Sequence, residues 1–370
     1  MYKTNLLQLF MELVQIPSPS GKERVVGLFI QKYLAKRGII SEFDGSGTKN
    51  NSNSGNLIAK LQGEPNLPVI LFVAHMDTVE TGNIQIKPKI ENEIITSDGA
   101  TILGADDKVS VASLMLMLEE IRIWPKHPTV LVAFTTREEK GKMGSSVLNI
   151  SEKIDYCFNL DGPNNLGSFV YQTLGETPFE IKLTGKAVHA AVEPEKGINA
   201  IMVAAEVISK LPIGKDKKGT VLNIGKIEGG RANNIVPDEV VLYGEARAYL
   251  QKDLDKLLQI MENIISNVCF KTGCSFKFYK KLEEGAPSAL MDKNHPIVKI
   301  AKKSTISLGL PFSLEKGSYT CDANFLATKY PTLNIARGSK MPHSFDESIS
   351  VENLFGLKAL VVELVNQLGK

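Results

Sequence analysis

The chain lacks an excess of charge of either sign. Lys and Arg number 43 against 41 Asp and Glu, a formal net charge of +2 at pH 7 over 370 residues. That balance gives no electrostatic reason to expect nucleic acid or an anionic membrane as partner. Long apolar runs are missing too, since no segment reaches the length of a membrane span. The N-terminal Met1-Tyr2-Lys3-Thr4-Asn5 leads into an amphipathic pattern rather than a signal-peptide core. The expectation is a cytoplasmic protein. Cysteine is scarce: Cys157, Cys269, Cys274 and Cys321 show no CxxC spacing, and are expected to be reduced, mostly buried small hydrophobes. No internal repeat is present.

What is there is ordinary globular material, 43% hydrophobic, in a chain long enough that two domains are the default. Amphipathic helices are expected at 5–15 and 22–37, around the turn Pro17-Ser18-Pro19-Ser20-Gly21. Residues 45–55 form a polar, glycine-containing loop expected to be mobile. Strands near 56–61, 68–74, 129–134 and 154–160, with an apolar helix at 107–122, alternate in the manner of an α/β layer with a mainly parallel sheet. The pattern changes near 176. Phe179-Glu180-Ile181-Lys182-Leu183 alternates, as in a sheet with one wet face. A helix at about 197–211, strands at 221–227 and 239–248, a helix at 251–268 and a strand at 274–281 follow. That β-α-β-β-α-β order is the ferredoxin-like split unit. The expected organisation is a discontinuous main domain, 1–175 and 286–370, with an inserted domain at 176–285.

Chemistry gathers at the strand ends. The run at 67–74 closes on His75-Met76-Asp77. Two residues apart on an extended backbone, His75 and Asp77 point the same way, and Asp77 can fix the imidazole tautomer for a metal. Gly104-Ala105-Asp106-Asp107-Lys108 opens the apolar helix, Arg137-Glu138-Glu139 follows one strand, and Asn159-Leu160-Asp161-Gly162 closes another. Pro342-His343-Ser344 lies in a loop after a strand-like 332–336. Singly, each reads as a helix cap, a solvated pair or a turn. Together, at one edge of a parallel sheet, they suit a dinuclear Zn²⁺ or Mn²⁺ site.

These segments, with Gly185-Lys186-Ala187-Val188-His189-Ala190, resemble the co-catalytic zinc peptidase family of peptidase T, carboxypeptidase G, the aminoacylases and succinyl-diaminopimelate desuccinylase. The Gly-Ala-Asp-Asp-Lys segment looks most like peptidase T. The resemblance implies a zinc-exopeptidase-like catalytic domain with an inserted lid or dimerisation domain. It implies two divalent ions, Zn²⁺ foremost, with Co²⁺ or Mn²⁺ as alternatives. His75, Asp106 and Asp161 would hold one and Asp106, Glu139 and His343 the other. Asp106 would bridge, with Asp107 as the alternative, next to a cis peptide bond. Asp77 would orient His75, and Glu138 would be the general base. His189 would stabilise the oxyanion, often from a partner subunit of a homodimer.

Asn233 and Asn234, in Arg231-Ala232-Asn233-Asn234-Ile235-Val236-Pro237, resemble a substrate-anchoring loop. Arg247 is either a bidentate clamp for a substrate carboxylate or a salt bridge. The implied activity is amide hydrolysis in short peptides, aminopeptidase action first. Carboxypeptidase action or deacylation of N-acyl amino acids comes next, and a non-catalytic binding protein on the same fold is the alternative of a different class. The chain departs from the family at Ala336-Arg337-Gly338-Ser339-Lys340 and at Ser318-Tyr319-Thr320-Cys321-Asp322. Both departures are expected to bear on the substrate and to leave the metal site intact.

Overall fold

The computed structural model describes residues 2–82, 84–162 and 165–370. It divides into two compact units, Met1–Gln172 with Met291–Lys370, and Thr173–Leu290.

The central sheet of the first unit is built on Ile40–Phe43 (β1), Leu57–Leu61 (β2), Val69–His75 (β3), Thr129–Thr135 (β4), Tyr156–Gly162 (β5), Ser168–Thr173 (β6) and Thr332–Ala336 (β7). Their spatial order is β1-β2-β4-β3-β5-β7-β6. β4, β3, β5 and β7 run parallel to one another, and β1, β2 and β6 pair antiparallel at the flanks. The parallel strands are buried along nearly their whole length. Helices cover both faces of such a sheet, which is why these strands read as unbroken apolar runs. Phe72 of β3 stacks on Phe158 of β5 with ring centroids 5.4 Å apart.

The helix Ala105–Ile121 is buried from its start through Leu118, so its sequence is apolar all round rather than amphipathic. It packs against Val351–Leu368 and Tyr2–Val14. The loop at 45–55, expected to be mobile from its composition, is instead tied down. Asn50 Nδ2 donates to Thr136 Oγ1 at 2.7 Å, Asn53 Oδ1 accepts from the Arg24 N–H at 3.0 Å, and Asn56, just after the loop, donates through Nδ2 to the Gly144 carbonyl at 3.0 Å. The short polar side chains that suggested mobility bond to neighbouring side-chain and backbone groups.

The second unit carries strands Gly175–Thr184, Val221–Gly229, Glu239–Ala248 and Ser275–Lys280, with helices Ala200–Lys210 and Gln251–Thr272. Counting those strands in chain order, the sheet runs second, third, first, fourth, all antiparallel. That is the ferredoxin-like arrangement. Its own core includes Phe179, Ile181, Leu183, Leu242 and Met261. All four cysteines are free and buried. Among the described residues, no helix is long and apolar enough to cross a membrane.

Phe72→Ala should empty space at the centre of the parallel strands and lower unfolding stability by roughly 3–5 kcal/mol. Chemical denaturation reads this directly; an unchanged midpoint would contradict the packing described.

Candidate metal centre

The four parallel strands end at one edge of the sheet, and each delivers a functional side chain there. β3 ends at His75, which pairs in register with Thr135 of β4. β4 leads into Glu138 and Glu139, and β5 carries Asp161 just before its last residue. β7 leads into the loop holding Arg337 and His343. Crevices outside the carboxyl ends of parallel strands are where open α/β sheets bind ligands. The helix Ala105–Ile121 brings in two aspartates from above. The Asp106–Asp107 peptide is cis, as the resemblance implies, and both residues depart from helical dihedrals.

Ligand-type atoms of His75, Asp106 and Asp161 lie within 4.8 Å of one another, as do those of Asp106, Glu139 and His343. Asp106 belongs to both groups. Asp107 belongs to neither: its Oδ2 accepts a 3.3 Å hydrogen bond from the His75 N–H, and its Oδ1 is buried without a partner. Two imidazoles and three carboxylates, in two sets that share one aspartate, are suitable donors for a pair of divalent ions. The residues present therefore fit such a pair. Glu138 lies beside them, within the same reach of His75 and Glu139.

Electrostatics separates these acids. Burial works against ionisation of Asp106, but Arg337, His343 and His75 overcome it and hold the group well below the usual carboxylate range. Burial pushes Glu138 the other way, well above that range, and the nearby Asp161 adds to the rise. Hydrogen bonds to Asp106 and Glu139 raise the His343 imidazole to about 10. One carboxylate is thus held ionised among ligand-type groups while its neighbour is tuned to exchange a proton.

Asp77 does more than orient an imidazole. His75 Nδ1 lies 3.0 Å from the Asp77 carbonyl oxygen and 3.5 Å from its carboxylate, so the backbone makes the closer contact with the ring. The carboxylate accepts from the N–H groups of Glu138 (3.0 Å) and Glu139 (3.1 Å) and from Ser20 Oγ (2.6 Å). One side chain therefore fixes both glutamates relative to His75. The fully buried Lys108, pulled down to about 8 by desolvation, donates to the Met76 carbonyl at 2.6 Å and to Ser18 Oγ at 2.7 Å, bracing the same turn.

Three supporting residues were not singled out from the sequence. Glu347 is fully buried, and its carboxylate accepts from the N–H groups of Gly104 (2.7 Å) and Asp106 (2.9 Å). Glu23 accepts from the Arg137 N–H at 3.0 Å and so holds the turn before Glu138. Arg337 reaches the centre itself. Its Nη2 lies 2.5 Å from Asp106 Oδ2 and its Nη1 pairs with Asp161 Oδ1. The 336–340 departure, expected to bear on the substrate and to leave the metal site intact, thus also places a cation against two of the ligand-type carboxylates. Gly162 explains the reach: a Cβ there would fall 2.7 Å from Ala336 Cα. Without one, β5 and β7 close up and the Arg337 N–H donates to the Gly162 carbonyl at 2.9 Å. No sequence signal marks Glu23 or Glu347 apart from other acids.

The remaining candidates belong to the second unit. An antiparallel bridge joins His189 to Ile235, and the Ala190 N–H donates to the Asn234 carbonyl at 2.9 Å. The exposed His189 and the exposed Asn233 and Asn234 are thereby brought into one loop pair. Arg247 takes the salt-bridge alternative. Its Nε and Nη2 each lie 2.9 Å from a Glu245 oxygen, and Glu176 is 3.4 Å away. Its fork is engaged by these carboxylates in the structure.

Asp77→Asn places an amide N–H₂ against groups that are themselves donors. Divalent-metal affinity should fall roughly 10–100-fold, the usual effect of disturbing a ligand's support, while the protein remains folded. Metal titration together with circular dichroism checks this. Unchanged affinity would remove Asp77 from the supporting shell.

Comparison with known proteins sets this geometry in a family. The M20 peptidase dimerisation domain matches residues 174–272, and the peptidase family M28 domain matches 56–204. The uncharacterized protein YqjE of Bacillus subtilis is 33% identical over 371 residues, covering 99% of this chain and 98% of that protein. The crystal structure of aminopeptidase PepT from Bacillus cereus superimposes with a TM-score of 0.93 at 32% identity, covering 100% of this chain and 99% of that one. A tripeptidase from Staphylococcus aureus gives a TM-score of 0.91 at 28% identity, covering 99% and 98%. The chain belongs to the M20 peptidase family, in its peptidase T-like branch.

Proposed function

We propose that this protein is a metal-dependent aminopeptidase acting on short peptides. The observation that carries the reading is the split between Glu138 and its neighbours. Glu138 is buried, raised in pKa and adjacent to two overlapping ligand sets that share Asp106. His75, Asp106 and Asp161 would hold one divalent ion and Asp106, Glu139 and His343 the other. The mixed imidazole and carboxylate donors suit Zn²⁺ first, with Co²⁺ or Mn²⁺ also accepted. Such ions, when bound, would polarise the scissile carbonyl and acidify the attacking water. Glu138 takes the proton of the attacking water and returns it to the leaving amine. Asp77 keeps Glu138 and Glu139 at a fixed separation throughout. His189, with Asn233 and Asn234 beside it, is assigned to the substrate and its oxyanion.

The second unit is assigned to homodimer formation. Its match to a peptidase dimerisation domain supports this, as do exposed apolar side chains such as Met202 at 67% and Phe270 at 90%. Four buried, unpaired cysteines suit the reducing cytoplasm.

Tripeptides blocked at one end or the other decide the activity. The expected result is cleavage only with a free N-terminus, abolished in Glu138→Gln. Cleavage that requires a free C-terminus would move the assignment to carboxypeptidase or deacylase chemistry. No cleavage of either set by metal-loaded protein would leave a binding protein on this fold.

The pH profile follows from the direction of the Glu138 shift. The base acts as a carboxylate, so kcat/KM should fall as pH drops through its raised value. The acid limb should therefore lie well above pH 4.5, the ordinary value for this group. A profile flat down to that pH would remove Glu138 as the base.

A further inference from the structure

Arg337 is the largest fully buried side chain among the described residues, and all three of its guanidinium nitrogens are engaged. Nε donates to Ser339 Oγ at 2.9 Å, Nη2 lies 2.5 Å from Asp106 Oδ2, and Nη1 pairs with Asp161 Oδ1. The planar fork thus spans two carboxylates that also serve as ligand-type groups. The two sets are not equally affected. Arg337 engages two of the three members of the set His75, Asp106 and Asp161, but only Asp106 in the set Asp106, Glu139 and His343. Charge points the same way: the guanidinium opposes a cation at either position, and more strongly at the one where it already holds two of the carboxylates.

We propose that Arg337 is a built-in counter-cation that makes the two metal positions unequal. The ion at Asp106, Glu139 and His343 binds tightly. The ion at His75, Asp106 and Asp161 binds weakly, because it competes with the guanidinium for Asp161 and Asp106. This rests on the two-ion reading above and deepens it: one position is permanently loaded, and the other fills only when free metal is plentiful.

The test is calorimetric titration of metal-depleted full-length protein with Zn²⁺, with bound metal counted by elemental analysis. Wild type should bind in two steps, the second roughly 10–100-fold weaker than the first, the range over which groups around a metal site tune affinity. His343→Ala should remove the tight step and Asp161→Asn the weak one. Arg337→Met should strengthen the weak step until the two merge, and Arg337→Lys, which keeps the charge, should keep them apart. If Arg337→Met does not fold, the wild-type, His343→Ala and Asp161→Asn titrations still decide the order of filling. Two ions of equal affinity in wild type overturn the proposal and leave the two-ion reading standing. So does an unchanged separation in folded Arg337→Met. Binding of no metal by wild type overturns both.

Discussion

Buried carboxylates repel one another, and the edge where β4, β3, β5 and β7 end collects Asp77, Asp106, Asp107, Glu138, Glu139, Asp161 and Glu347. Each acid there needs a donor, a cation or a proton. Asp77 has three donors in Glu138 N–H, Glu139 N–H and Ser20 Oγ. Glu347 has two backbone N–H groups, yet burial still lifts it to about 7. Asp106 has two imidazoles and a guanidinium around it. Glu138, lacking such partners, is raised well above the usual carboxylate range by burial. Much of the surrounding structure, from the Glu23 clamp to the buried Lys108, serves to keep these groups close without collapse or expulsion.

The same arrangement connects fold to chemistry. A residue carried on a strand end is aimed by the sheet, since β3 and β5 are held by ladders to neighbours on both sides and packed on both faces. The glutamates sit on a turn, which has no such protection, and there the hydrogen bonds are densest. Glu23, Asp77, Asn50 and Asn56 all fasten the segment around Thr136–Glu139 or its immediate neighbours. Precision that the sheet supplies to His75 and Asp161 is supplied to the glutamates by side chains.

Legibility in the sequence followed the range of the interactions. The apolar runs of β3, β4 and β5 and the change to alternation at Phe179-Glu180-Ile181-Lys182-Leu183 reflect burial on two faces or on one, which is a local property. They made the mainly parallel sheet and the presence of a second α/β unit legible. The residues gathered at the metal centre were found because strand ends in a parallel sheet converge, and because they match a family pattern. The rest depends on contacts between distant segments. Arg337, flanked by Ala336 and Gly338, looks like a solvated loop cation. Only the close approach permitted by Gly162 turns it inward. The polar loop at 45–55 has the composition of a flexible linker, and only its partners at Thr136 and Arg24 show it to be scaffolding. Arg247 reads equally well as a clamp or a salt bridge; only the structure shows its contacts with Glu245, two residues before it on the same strand, and with Glu176 opposite.

Glu347 holds backbone groups 243 and 241 positions earlier in the chain, at Gly104 and Asp106. Arg337 reaches back 231 positions to Asp106. During synthesis, which proceeds from the N-terminus, the acids at 106, 107, 138, 139 and 161 emerge before any of these partners exists. The whole second unit is made in the interval. A nascent chain can lay down most of its parallel sheet and fold its inserted unit with Ser20, Glu23, His75 and Lys108 already beside the acids, but Arg337, His343 and Glu347 come only after the final strand. Assembly of the candidate centre is therefore a late event, and a chain truncated before residue 337 has the acids without the guanidinium and the second imidazole that flank Asp106.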